Sequence, residues 1–187
     1  MILATRNPHK LREFRRLLGD GRLEPLPAAV ELGPELGETF ADNALEKART
    51  AARVTGVTSI ADDSGIAAEV LDGGPGVRSA RFAGEQASDE QNLELLIARV
   101  PAASRLSYVC ALAYVDPQVG LERIFEGRCD GRMAAARRGS GGFGYDPVFE
   151  LADGRTMAEL DDAEKDAISH RGAAIRALAA WLAAGRP

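Results

Sequence analysis

Residues 105–115 and 121–129 are two long, β-prone apolar runs with only Asp116-Pro117-Gln118-Val119-Gly120 between them. So short a spacer, with Pro and Gly in it, predicts a hairpin. The rest of the chain alternates strand-like and helix-like segments. A hairpin inside that alternation breaks strict β-α-β order and excludes a purely parallel sheet. The predicted class is therefore α/β, with a central mixed sheet flanked by helices. At 187 residues the chain suits one domain, residues 1–187, with two lobes.

Local signals place the remaining elements. MILAT is a short strand running into Arg6-Asn7-Pro8, where Asn7 can cap a helix and Pro8 can take its first position. Leu11, Phe14, Leu17 and Leu18 then share one helix face, and Gly19 or Gly21 ends it. A helix N-terminus of this kind can receive an anion. Residues 27–38 read as a loop carrying Glu31, Glu35 and Glu38. Thr39 and Asp42 form a capping box for a helix to about Arg53, with Asn43 and Lys47 four apart on one face. A strand near 57–61 leads to Asp62 and Asp63. The glycine-rich stretch after them reads as a short strand, a turn and a loop. Ser88 opens another capping box, before a helix with Leu93, Leu96, Ile97 and Val100 aligned. GSGGFGYDP precedes a strand, PVFEL. The C-terminal region reads as a turn at AEL, a helical DDAEKDAI and a terminal helix from Ser169 with Ile175, Leu178 and Leu182 aligned.

Several chemistries fall away. Gly139, Gly141 and Gly144 satisfy G-x-G-x-x-G, but a strand rather than a helix follows, so the dinucleotide fingerprint fails. With only His9 and His170 present, a histidine-rich zinc site is excluded. What remains is hard-cation chemistry. Asp62 and Asp63, with Glu35 on its acidic loop, can supply carboxylate oxygens to Mg²⁺; the same Asp-Asp-Ser-Gly stretch also fits a plain polar turn. Of 23 basic residues only Lys10, Lys47 and Lys165 are lysine, and all three fall inside these motifs. Lysine is a compact point charge suited to crowded phosphate oxygens. Thr5, Asn7 and Lys10 surround the first helix start. Phe143 and Tyr145, beside Asp146, can approach a flat ring from a glycine-rich loop. His170 and Arg171 open the terminal helix, where they also read as ordinary neighbours of an N-cap.

The net charge of -5 argues against broad nucleic-acid binding while leaving a small anionic ligand open. No apolar run approaches the roughly 18 residues of a membrane span, and the chain opens on a strand rather than a signal peptide. Cys110 and Cys129 lack C-x-x-C spacing and read as buried thiols, which suits a reducing, cytoplasmic location.

TRNPHK, TFADNALEKAR, ADDSG, PGVRSARFAG, GGFGYDPVF and AELDDAEKDAISHRG, in this order, closely resemble the inosine/xanthosine triphosphate pyrophosphatases. The resemblance runs from Leu3 to about Arg176. It implies an elongated, two-lobed α/β fold with an active-site cleft between the lobes, a homodimer, Mg²⁺ dependence, and hydrolysis of ITP, dITP and XTP to monophosphate and pyrophosphate. Carried over by position, Thr5, Arg6, Asn7, Pro8, His9 and Lys10 would hold the triphosphate, with Lys47. Glu35 and Asp63 would bind metal, with Asp62 a further candidate; Asp63 would also accept the proton, and Ser64 would touch substrate. Phe143, Gly144, Tyr145, Asp146, Lys165, His170 and Arg171 would complete the nucleotide pocket. The family often has Gly where this chain has Arg6 and His9. A pyrophosphatase for modified pyrimidine or methylated nucleotides, and a non-catalytic nucleotide sensor, are the alternatives.

Overall fold

The capping signals at Asn7, Thr39 and Ser88 form as read. In a computed structural model, which describes residues 1–185, strand β1 (Ile2–Leu3) leads into helix α1 (Pro8–Leu18), capped by Asn7 and ended by Gly19 at φ 88°. Strand β2 (Glu24–Pro25) and helix α2 (Phe40–Thr55) follow, the latter with the full Thr39–Asp42 capping box. Strand β3 spans Ser59–Ala68 and helix α3 spans Asp89–Arg99. The predicted hairpin is strands β4 (Arg105–Asp116) and β5 (Leu121–Met133). Strand β6 (Phe149–Glu150) and helices α4 (Asp162–Ile168) and α5 (His170–Ala183) complete the order.

The six strands form one mixed sheet in the order β2-β1-β3-β4-β5-β6. β1 is parallel to β2 and β3, and β6 is antiparallel to β5. The chain divides into two compact units. The first holds residues 1–63, 110–127 and the C-terminal segment from Arg171; the second holds 64–109 and 128–170. Among the described residues no helix is long and apolar enough to cross a membrane.

The first unit packs helices on both faces of its strands. Leu3, Ile60, Cys110, Leu112 and Tyr114 cluster with Phe14 and Leu18 of α1 and with Ile175 and Leu178 of α5. Ile2, Ala4, Ala61, Ala111 and Ala113 face the other way, onto Ala44, Ala48, Ala51 and Ala52 of α2. Alternation along a strand gives the two sets, and the alanines let α2 lie close to the sheet. In the second unit Leu93, Leu96 and Val100 pack with Ile66, Leu106, Tyr108, Val148 and Phe149.

Three local expectations are corrected. β3 does not end at the acids: it continues through Asp62, Asp63, Ser64 and Gly65 to Ala68. Ladder pairing inside the sheet outweighs the turn preference of Asp-Asp-Ser-Gly, and Gly65 permits it, because a Cβ there would collide with Ser79 Oγ and the Gly76 carbonyl. The strand expected at PVFEL is only Phe149–Glu150, since Asp146–Val148 forms a 3₁₀ turn around Pro147. Cys110 is fully buried, its thiol pushed up to about 12 by burial, but Cys129 is only half-buried.

Candidate active site

The pleat of β3 explains how two adjacent carboxylates coexist. It sends Asp62 and Asp63 to opposite faces, where different helices supply different cations. Asp62 Oδ2 lies 3.0 Å from Lys10 Nζ on α1 and 3.1 Å from Arg171 Nε at the start of α5. Arg171 Nη1 in turn lies 2.6 Å from Glu13 Oε2. Two cations and two anions therefore balance in a network where the Asp62 side chain is 0% exposed and that of Arg171 3%. Burial alone would raise the Asp62 pKa. Lys10 and Arg171 overcome that and hold the carboxyl well below the usual range.

Asp63 has a different environment. Its Oδ2 accepts from Asn43 Nδ2 at 2.9 Å, and its Oδ1 lies 3.5 Å from Lys47 Nζ. The same Lys47 ammonium is 2.6 Å from Glu35 Oε1. Asn43 and Lys47 are one α2 turn apart, so a single helix face delivers the amide and the cation together. Asn43 Oδ1 also accepts from the Gly37 amide at 2.8 Å, which ties the Glu35 loop to α2. A pocket of about 560 Å³ opens here, with Glu35, Asn43 and Lys47 in its lining. Burial, reinforced by Glu35, raises the Asp63 pKa against the opposing pull of Lys47. The result is a carboxylate with elevated basicity beside a fixed ammonium.

Glu35 and Asp63 thus share one cation, while Asp62 is committed to Lys10 and Arg171. That separates the expected acid trio, because Asp62 sits on the other face of the strand. Among the described residues no group of three or more His, Cys, Asp or Glu is placed to enclose a metal. Two converging hard carboxylates fit Mg²⁺, which usually takes one or two carboxylates and leaves its other positions to water and substrate phosphates.

The first turn is more self-contained than its motif suggests. Thr5 Oγ1 accepts from the Asn7 amide at 3.1 Å, and Asn7 Oδ1 accepts from the amides of His9 and Lys10 at 2.9 and 3.3 Å. Two of the amides expected to face an anion are therefore capped. Arg6 does not face the same way: Nη1 donates to the Leu26 carbonyl at 2.9 Å, and Nη2 to those of Pro27 and Val30 at 2.7 and 2.8 Å. It clamps the start of the loop that carries Glu35. His9 Nδ1 pairs with Arg12 Nη2 at 2.8 Å, and Pro8 is exposed at the first helical position.

In the second unit the glycine-rich loop wraps around Asp146. Oδ2 of this buried carboxylate accepts from Lys165 Nζ at 2.7 Å and from the Phe143 amide at 2.9 Å; Oδ1 accepts from Tyr108 Oη at 3.0 Å. Gly142, at φ 68°, passes so near that a Cβ would strike Asp146 Oδ2. The Phe143 ring is half-buried, with Lys165 Nζ 5.0 Å from its centroid. Tyr145 turns inward: its hydroxyl donates to the Ser79 carbonyl at 2.7 Å, and its side chain belongs to the core. The His170 ring stacks on Tyr108 at 4.6 Å and 12°. Gly144, at φ 61°, supplies the left-handed turn before Tyr145, and Ser64 is half-buried in β3.

Lys165 and Asp146 therefore hold the loop together, and Arg171 joins the first unit's buried network with Asp62 and Glu13. Three contributors, Asn43, Glu13 and Tyr108, were not named as site residues. Asn43 had a signal in its spacing from Lys47. Glu13 and Tyr108 had none, since both look like ordinary members of an amphipathic helix and an apolar strand.

A model described as the Ham1 family matches residues 1–181. A dITP/XTP pyrophosphatase of Symbiobacterium thermophilum is 48% identical over 94% of this chain and 90% of its own. One from Frankia alni is 48% identical over 97% and 96%. Among solved structures, a HAM1 protein from Coxiella burnetii superposes with a TM-score of 0.86 at 39% identity, covering 98% of both chains. A nucleoside-triphosphatase / dITP/XTP pyrophosphatase from Mycobacterium abscessus gives 0.75 at 46% identity, covering 97% of both.

Proposed function

The chain belongs to the Ham1 family, and on that premise we propose that it hydrolyses non-standard purine nucleoside triphosphates (ITP, dITP, XTP) to the monophosphate and pyrophosphate. The observation that carries the reading is the Asp63 carboxylate held 2.9 Å from Asn43 Nδ2 and 3.5 Å from the Lys47 ammonium that it shares with Glu35.

In this reading Glu35 and Asp63 hold Mg²⁺, which when bound neutralises phosphate charge and polarises the phosphoryl group. Asp63 orients a water molecule and accepts its proton as the oxygen attacks the α-phosphorus. Lys47 and Lys10 counter the phosphate charge, and the Thr5–Lys10 turn lies along the phosphates. Pyrophosphate leaves as the α–β bridge breaks. Phe143 stacks on the base and the loop amides read its edge. Hypoxanthine and xanthine present a 6-keto acceptor and an N1–H donor where adenine reverses both, so a site set for the keto pattern leaves its own groups unpaired with ATP. Free Cys110 and Cys129 suit a cytoplasmic location, and a homodimer is proposed on family membership alone.

The test is hydrolysis of ITP, dITP, XTP, GTP and ATP with and without Mg²⁺, scoring pyrophosphate and orthophosphate separately. Mg²⁺-dependent pyrophosphate from the first three is the expected result. Orthophosphate, or a preference for ATP and GTP, would overturn it; tight binding without turnover would favour a sensor. Within this reading Phe143→Ala should raise KM for ITP about tenfold, the scale of one lost aromatic stack. A variant with parent kcat/KM would remove Phe143 from the base site.

A further inference from the structure

Tyr108 belongs to none of the motifs of the sequence, yet it touches two of the residues assigned to the nucleotide. Its hydroxyl donates to Asp146 Oδ1 at 3.0 Å, and its ring lies between His170 at 4.6 Å and Phe149 at 4.4 Å in a three-ring stack. Asp146 is 3% exposed and has no alternative in bulk water for a lost donor. Its other oxygen fixes the Phe143 amide, so the orientation of the carboxylate sets the path of the loop. A hydrogen bond to a buried charged group is among the stronger ones, and the stack immobilises the ring that delivers it.

From this geometry we infer that Tyr108 is a positioning residue for base recognition: its hydroxyl locks Asp146, and through it the Phe143 loop, in the conformation that discriminates the base. This rests on the assignment of the 143–146 loop to the base. Phenylalanine at this position keeps the ring, the stack and the apolar packing and removes only the hydroxyl, so the role is separable from folding.

The experiment compares the full-length protein with Tyr108→Phe and Phe143→Ala, measuring kcat and KM for ITP and GTP and the melting temperature of each. For Tyr108→Phe the expected result is KM for ITP raised roughly five- to tenfold, the scale of one hydrogen bond to a charged group, with kcat within twofold. The ratio of kcat/KM for ITP over GTP should fall by a similar factor. A purely structural role would lower the melting temperature without moving that ratio, and this outcome overturns the inference. If Tyr108→Phe leaves KM and the ratio unchanged while Phe143→Ala raises KM, the inference falls and the base-loop reading stands. If neither substitution changes KM, the base-loop reading itself is wrong.

Discussion

Asp63→Asn should lower kcat for ITP by roughly 10²- to 10⁴-fold, the range a positioned general base contributes. Asparagine is nearly isosteric and can still receive Asn43 through its amide oxygen. What it loses is the capacity to take a proton and half of the carboxylate pair that Lys47 now spans with Glu35. The loss should fall on kcat more than on KM, because the groups proposed to bind substrate, Lys10, Lys47 and the Phe143 loop, are unchanged in the variant. The melting temperature of the variant, measured beside kcat, separates a chemical loss from unfolding. The folded pKa of Asp63 is raised above the unfolded value, so as pH climbs between the two the native state holds the extra proton and stability falls. Asparagine does not carry that cost, but it also gives up the Asp63 pairing with Lys47, so in metal-free protein the two effects oppose each other. A variant retaining more than a tenth of parent kcat would remove Asp63 as the base.

What the sequence made legible was local. The caps at Asn7, Thr39 and Ser88 depend on a side chain three or fewer residues from its amide, and all three form. The hairpin followed from two runs and a short spacer, and it accounts for the mixed sheet. Lys47 and Asn43 were readable as one face because helical spacing is regular. Asp62 and Asp63 were readable as important but not as different. A turn preference in Asp-Asp-Ser-Gly competes with ladder pairing in the middle of a sheet, and only the fold decides that contest. Arg171 shows the same limit: its motif gave no sign of its pairing with Asp62 and Glu13, 109 and 158 residues away. Nothing local marks Glu13 as buried or Tyr108 as a donor to Asp146.

The second large effect is on stability. Asp62→Asn should destabilise the protein by about 3–5 kcal/mol, the scale on which breaking a buried ion pair exposes an uncompensated charge. Arg171, whose side chain is 3% exposed, would keep Glu13 but lose the Asp62 carboxylate, and Lys10 would lose the same partner. For a chain of this size that corresponds to a fall in melting temperature of roughly 10 °C, measurable by calorimetry or urea titration. Acid should erase the difference. The folded pKa of Asp62 is depressed, so its contribution is complete above the unfolded value of about 3.9. It is lost as pH falls from there through the folded pKa. Asparagine has no such proton to take up. The gap between parent and variant should thus be constant from pH 7 to about 5 and narrow steadily below about 4. A gap unchanged at pH 3 would mean that Asp62 stabilises the protein by packing and neutral hydrogen bonds rather than by its charge, and that Arg171 and Lys10 find their compensation elsewhere.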